Sequence, residues 1–223
     1  MSLRDNLRLI TRRIAPAFLA GVVLLAAVSC GKNIDNSVRQ LQIDQKKIAQ
    51  FLDEHCLTPA GEIVPLSEVP ATASETDEGD QGPTLPEGYV VLSDTAKAQG
   101  DIYLVSLKEG AGDTPTSTDK VLIRYRGYYL ETMQEFDSTW DDPEPYPVWV
   151  SGVIEGLRTG LQAMKTGIDD PEQAGNYLSP GEAWMILPSP LAFGQEGKTS
   201  PVVPPNTCVV YRVNLYGVVP LDF

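Results

Sequence analysis

The sequence predicts an α+β fold in which an antiparallel, curved β-sheet wraps around one short α-helix, preceded by an N-terminal helix and an acidic linker. Three observations carry this. From Ile102 onward, short extended apolar runs alternate with turn residues, and one stretch among them, VIEGLRTGLQAM, switches to helical spacing. Near the start, Ile34, Val38, Leu41, Ile48 and Leu52 recur at helical intervals with Gln, Asp and Lys on the other face. Between Lys47 and Lys97 there is no Lys or Arg, while acids recur at Glu62, Glu68, Glu75, Asp77, Glu78, Asp80 and Glu87. A length of 223 residues with 42% hydrophobic and 21% charged fits one globular domain with added segments.

In chain order, residues 1–29 have the layout of a signal peptide: Arg4, Arg8, Arg12 and Arg13 precede the apolar run AFLAGVVLLAAVS. That run is shorter than the ~20 residues a spanning helix needs, so cleavage is expected rather than a permanent span. Ala26, Ala27 and Ser29 stand directly before Cys30, an arrangement that resembles a bacterial lipobox with Cys30 as the lipidated first residue. Residues 1–30 hold four Arg and one Asp, which leaves 13 basic and 29 acidic residues and a formal charge of −16 on the remainder. Such a surface does not adhere to an anionic bilayer, so attachment would rest on the lipid. The expected location is the bacterial cell envelope, lipid-anchored to a membrane and facing the periplasm or the cell exterior.

Residues 30–60 then comprise the lipidated start and an amphipathic helix over 34–56, whose single apolar stripe is expected to dock on its own domain rather than to build an oligomer. His55, near its end, is read as a solvated or C-terminal capping residue. Residues 61–94 read as an acidic Pro/Gly/Ser/Thr linker that holds the following domain away from the bilayer, because EVPATASETDEGDQGPTLPEG lacks any buried-face periodicity. The domain at 95–223 is expected to fold alone. Its strands are IYLVSL, VLIRYRGYYL, TMQEFDSTW, YPVWVSG, AWMILP and TCVVYRVNLYGV, and its helix carries Leu157, Leu161 and Met164 before stopping at Gly167.

Composition removes several function classes. A net charge of −13 without a Lys/Arg cluster leaves no electrostatic footprint for nucleic acid. One His, His55, and three Cys, Cys30, Cys56 and Cys208, are too few for the usual zinc sets, and no His follows residue 56 to serve a Ser or Cys nucleophile. Neither GxGxxG nor GxxxxGK occurs, so no metal and no cofactor is expected. Asp141-Asp142 and Asp169-Asp170 read as solvated loop acids. Cys56 and Cys208 either pair in an oxidising compartment or stay two separate buried thiols. What remains suits a reaction needing only a shaped apolar pocket and a few oriented dipoles.

VLIRYRGYYL with the downstream EFDST, VSGVIEGLRTGLQAMKTGI, LPSPLAFG and PVVPPNTCVVYRVNLYGV, in that order, resemble an FKBP-type peptidyl-prolyl cis-trans isomerase over about residues 100–223. The resemblance implies that Tyr125 is the pocket tyrosine and that Phe136 and Asp137 are the Phe-Asp pair lining the pocket. It implies that Val153 and Ile154 open the helix, with the Ile154 N–H a donor to a bound carbonyl. Phe193 falls where the family usually has Tyr, which removes a hydroxyl, and Leu157 falls where the pocket floor is often Trp. Val203 and Tyr211 match further wall positions, and Tyr146 or Pro147 another. The segment IDDPEQAGNYLSPG departs from the family as an insertion, expected to form an extended hairpin or bulge. The implied substrates are proline-containing peptides or unfolded exported proteins. Two alternatives stand beside this: a catalytically weak binding or chaperone module on an envelope lipoprotein, suggested by Phe193 and Leu157, and a lipoprotein subunit assembled through the 34–56 helix.

Overall fold

The computed structural model describes residues 36–70, 85–173 and 175–219. The signal peptide, Cys30, Ile34 and the central part of the acidic stretch lie outside them. Helix α1 (Asn36–Glu54) buries Ile48, Phe51 and Leu52 on one stripe, as the spacing dictates. It ends at Glu54 rather than at 56. His55 leaves the helix, donates from Nδ1 to the Phe51 carbonyl at 2.9 Å and stacks on the Phe51 ring at 4.0 Å. The chain then runs as β1 (His55–Leu57), β2 (Ile63–Pro65), a 3-10 turn at Leu66–Glu68, β3 (Val90–Val91) and α2 (Leu92–Thr95). β1 pairs antiparallel with both β2 and β3.

This corrects the linker expected at 61–94. Both ends of that span are folded, because Ile63, Val64, Val90, Val91 and Leu92 supply short apolar runs inside an acid-rich composition. Strands of two or three residues are too short to show a period of two. Both ends also belong to the compact unit that starts at Asn36, so the span from 61 to 94 does not mark a boundary between two units.

The larger sheet follows with β4 (Lys97–Gln99), β5 (Ile102–Lys108), β6 (Lys120–Tyr129), β7 (Glu135–Ser138) and β8 (Tyr146–Trp149), then α3 (Glu155–Leu161). β9 (Ile168–Asp169) and β10 (Tyr177–Leu178) form the short antiparallel hairpin of the expected insertion. β11 (Gly181–Leu187), a small hairpin of β12 (Lys198–Thr199) and β13 (Val202–Val203), and β14 (Val209–Val218) complete the chain. The sheet order is β4-β5-β11-β14-β6-β7, antiparallel throughout, and β8 pairs with the Lys120–Ile123 half of β6 while β7 takes the Arg126–Tyr128 half.

On the inner face α3 lays Leu157 and Leu161 over Ile123, Met185, Leu187 and Val213. The helix comes close because Gly160 has no side chain, and a Cβ there would collide with Met185 Sδ. The outer face is covered as well. Val105, Trp184, Ile186 and Val210 pack with Ile48, Phe51, Leu52, Leu92 and Cys208, so β11 is buried on both sides. At ~25 cal/mol per Å² of apolar surface removed from water, a side chain such as Leu52 contributes about 1.5–3 kcal/mol there. Polar contacts fix the register of this cover. Trp184 Nε1 donates to the Gly61 carbonyl at 2.8 Å, and Arg212 pairs with Glu182 at 2.6 Å and with Glu62. The domain expected at 95–223 therefore has no boundary at 95. Cys56 and Cys208 are buried and unpaired, the second of the two readings left open.

Candidate active site

Along β6, Tyr125, Gly127 and Tyr129 share one face, since successive side chains of a strand alternate. Gly127 leaves the room that the site uses: a Cβ there would stand 2.8 Å from Phe136 Cζ and 2.9 Å from Tyr211 Cε1. Phe136, on β7, is the centre of an aromatic cluster. Its ring lies 5.1 Å from Tyr129, 5.9 Å from Tyr211 and 6.3 Å from Phe193, the last two nearly perpendicular, and Tyr125 meets Tyr211 edge-on at 5.9 Å. Edge-to-face contacts of this kind set positive ring edges against negative ring faces, which holds the rings at fixed tilts.

Asp137 follows Phe136 and faces Gly127 in the register. Its Oδ2 accepts a hydrogen bond from Tyr125 Oη at 3.1 Å, and Lys198 Nζ lies 3.9 Å away. Thr139 clamps the Tyr125 backbone, accepting its N–H at Oγ1 and donating its own N–H to the Tyr125 carbonyl. Burial, followed by the Asp137 charge and hydrogen bond, pushes the Tyr125 phenol far above its ordinary range. Burial does the same to Tyr211, with Tyr125 and Asp137 adding to it. Both phenols are therefore fixed as neutral O–H groups.

The rest of the wall comes from four places. Val153 and Ile154 lead into α3, and Ile154 caps it at φ −56° and ψ 150° with its carbonyl accepting Arg158 N–H at 3.0 Å. The Ile154 N–H itself precedes the helical ladder. Leu157, in the first turn, is buried under this entry, as are Val203 on β13 and Tyr211 on β14. Phe193 stands on the turn after the 3-10 segment Ser189–Leu191, with Lys198 Nζ 5.4 Å above its ring. Tyr125, Phe136, Val153, Ile154, Leu157, Phe193, Val203 and Tyr211 thus all belong to the inner core or pack against it, with Asp137 tied in through Tyr125. Cys30 lies outside the described residues. Tyr146 and Trp149, on β8, are exposed, and Lys120 lies over the Trp149 ring.

Sequence reasoning missed three members. Tyr129, whose hydroxyl donates to the Val202 carbonyl, and Gly127 share the face of Tyr125 by simple alternation and were legible there. Lys198 arrives on the two-residue strand β12, which is too short to leave a local signal. As chemistry, this is an apolar, aromatic cluster with protonated hydroxyls and one carboxylate committed to neighbouring donors. It is suited to holding a neutral planar group, not to moving protons.

The family profile described as FKBP-type peptidyl-prolyl cis-trans isomerase matches residues 112–216. Over 120 residues the chain is 30% identical to FK506-binding protein 1 of Saccharomyces cerevisiae, covering 52% of this chain and 92% of that protein. The chain belongs to the FKBP-type peptidyl-prolyl cis-trans isomerase family. Relatives with longer chains include the FKBP-type peptidyl-prolyl cis-trans isomerase FkpA of Escherichia coli (strain K12), 31% identical over 121 residues, and the peptidyl-prolyl cis-trans isomerase Mip of Coxiella burnetii, 32% identical over 122. Each alignment covers 54% of this chain but only 38% of FkpA and 46% of Mip, so the chain spans less than half the length of either. The profile match begins beyond β5, which leaves α1 and the small sheet outside the FKBP segment.

Proposed function

We propose that this chain is a peptidyl-prolyl cis-trans isomerase that acts on Xaa-Pro bonds of exported proteins and is anchored by a lipid on Cys30 in a bacterial envelope. The observation that carries the catalytic part is the Phe136-centred aromatic wall with Asp137 bonded to Tyr125 beside it. An Xaa-Pro amide prefers trans by only about 0.5–1 kcal/mol, yet interconverts over a barrier of ~18–20 kcal/mol because its resonance must be broken. Twisting reduces the amide dipole, so a dry apolar enclosure disfavours the planar ground state relative to the twisted one. Val153, Leu157, Phe193, Val203 and Tyr211 supply that enclosure, and the Ile154 N–H holds a flanking carbonyl. Asp137 orients Tyr125 and Lys198 and transfers no proton. Folding of exported chains supplies the substrate need, since uncatalysed prolyl isomerisation takes tens of seconds.

The test is cis-to-trans isomerisation of a short Xaa-Pro peptide by the full chain in mild detergent, alongside Phe136→Ala and Asp137→Ala. Acceleration that falls about tenfold or more in Phe136→Ala and several-fold in Asp137→Ala is expected. A folded wild-type chain that gives no acceleration would withdraw the catalytic role and leave a binding module.

A further inference from the structure

Asp44 is a charged side chain on α1 with no exposed surface, and among the described residues it forms no ion pair. Its partners are neutral donors. Gln40 Nε2 bonds Oδ1 at 2.8 Å, while Oδ2 accepts both the Ser189 N–H, at 2.8 Å, and the Ser189 hydroxyl. Ser189 is itself fully buried. Burying a carboxylate is costly unless its oxygens are satisfied, and helix docking alone needs none, since Ile48, Phe51 and Leu52 already glue α1 to the sheet. Beside the Cys208 thiol, which also bonds it, what Asp44 holds in place is one residue, Ser189.

That residue is the hub of the turn behind the pocket. The Ser189 carbonyl accepts the Ala192 N–H at 3.0 Å and the Gly194 N–H at 2.8 Å, so the bonds on either side of Phe193 both end on Ser189. The Phe193 carbonyl in turn accepts the Gly197 N–H at 3.1 Å, and the ring reaches Phe136. We propose that Asp44 is a positioning residue for the pocket: by holding Ser189 from the N-terminal helix it fixes the turn that presents Phe193 to the substrate. This rests on the isomerase reading, and it extends the machinery to a helix outside the matched FKBP segment at 112–216.

The experiment compares Asp44→Asn and Ser189→Ala with Leu52→Ala in the full chain. Leu52 is buried on the same helix in the outer cluster, to which none of the pocket-wall residues belongs. Three readouts are taken: kcat/KM on an Xaa-Pro peptide, the thermal midpoint, and hydrogen exchange at the Ala192 and Gly194 amides. Expected are a loss of about tenfold in kcat/KM and faster exchange at both amides in Asp44→Asn, with Ser189→Ala smaller in both, because small misplacements of a binding wall cost rate steeply. Leu52→Ala lowers the midpoint at least as far and keeps kcat/KM within about twofold and the exchange slow. If Asp44→Asn keeps wild-type kcat/KM, or loses no more than Leu52→Ala at an equal drop in midpoint, the proposal falls. An inactive wild-type chain would instead sink the isomerase reading, and exchange at Ala192 and Gly194 would then decide alone: faster in Asp44→Asn upholds the hold on the turn, unchanged overturns it.

Discussion

A thiol or phenol deprived of water keeps its proton, and in this chain that turns alkaline pH into a destabilising condition. Burial, then the charge of Asp44, pushes the Cys208 thiol up to about 12 from an ordinary 9.0. Tyr125 and Tyr211 shift in the same direction, burial first. Because the folded values are raised, the stabilisation is complete below the unfolded values and disappears as pH climbs toward the folded ones. Urea midpoints should therefore be flat up to about pH 8.5 and fall between about pH 9 and pH 12, with Cys208→Ala shallower than wild type over that range. Equal slopes for the two proteins would contradict the assignment to Cys208. At this scale much of the site was legible in sequence. Phe136 and Asp137 stand together in EFDST, and Tyr125 sits on a long strand. Asp44 was not legible, because an acid on a predicted amphipathic helix is read as solvated unless its partner, here 145 residues away, is known.

Among elements, β11 explains why the N-terminal third is not an appendage. Its residues are buried on both faces, a pattern that AWMILP displays as an unbroken apolar run and that requires cover on two sides. α3 provides one cover, and α1 with the small sheet provides the other. A chain beginning at residue 95 would bare Val105, Trp184, Ile186 and Val210 together and lose the Trp184–Gly61 and Arg212–Glu62 ties. Such a chain is expected to be insoluble or to lack a cooperative thermal transition, whereas one from Asn36 keeps it; near-UV circular dichroism and calorimetry distinguish them. Cooperative melting of the 95–223 chain at the full-length midpoint would sink this view. β5, β6, β11 and β14 were legible because each is long enough for its pattern to repeat, and so was the Leu157–Leu161 part of α3, although the helix ends at Leu161 and not beyond Met164 at Gly167 as its spacing suggested. β1, β2 and β3 were not, since two or three residues carry no period and the surrounding acids dominate any average over a window.

For the whole molecule, charge and topology together locate what an anchor must do. The chain beyond residue 30 carries 13 basic and 29 acidic residues, so its own surface is repelled by anionic lipid and cannot hold it to a membrane. Because α1 belongs to the same compact unit as the pocket, the acidic stretch after Pro70 does not lie between Cys30 and that unit in the chain. On the proposed lipidation of Cys30, only residues 31–35 separate the acyl group from that unit in the chain, and membrane association would rest on that group. Attachment of that kind is hydrophobic, and each buried methylene contributes about 0.8 kcal/mol, so it survives salt that would screen charge pairing within about 3 Å at 1 M. In a bacterial host grown with labelled palmitate, the wild-type chain should carry label and stay with membranes through a wash of about 1 M salt. Cys30→Ser should lose the label and appear in the soluble fraction or as an unprocessed precursor, with its isomerase activity unchanged once purified. A Cys30→Ser chain that is still labelled would place the lipid elsewhere. A wild-type chain that is processed, unlabelled and soluble would mean plain secretion, with Cys30 an ordinary thiol near a new N-terminus.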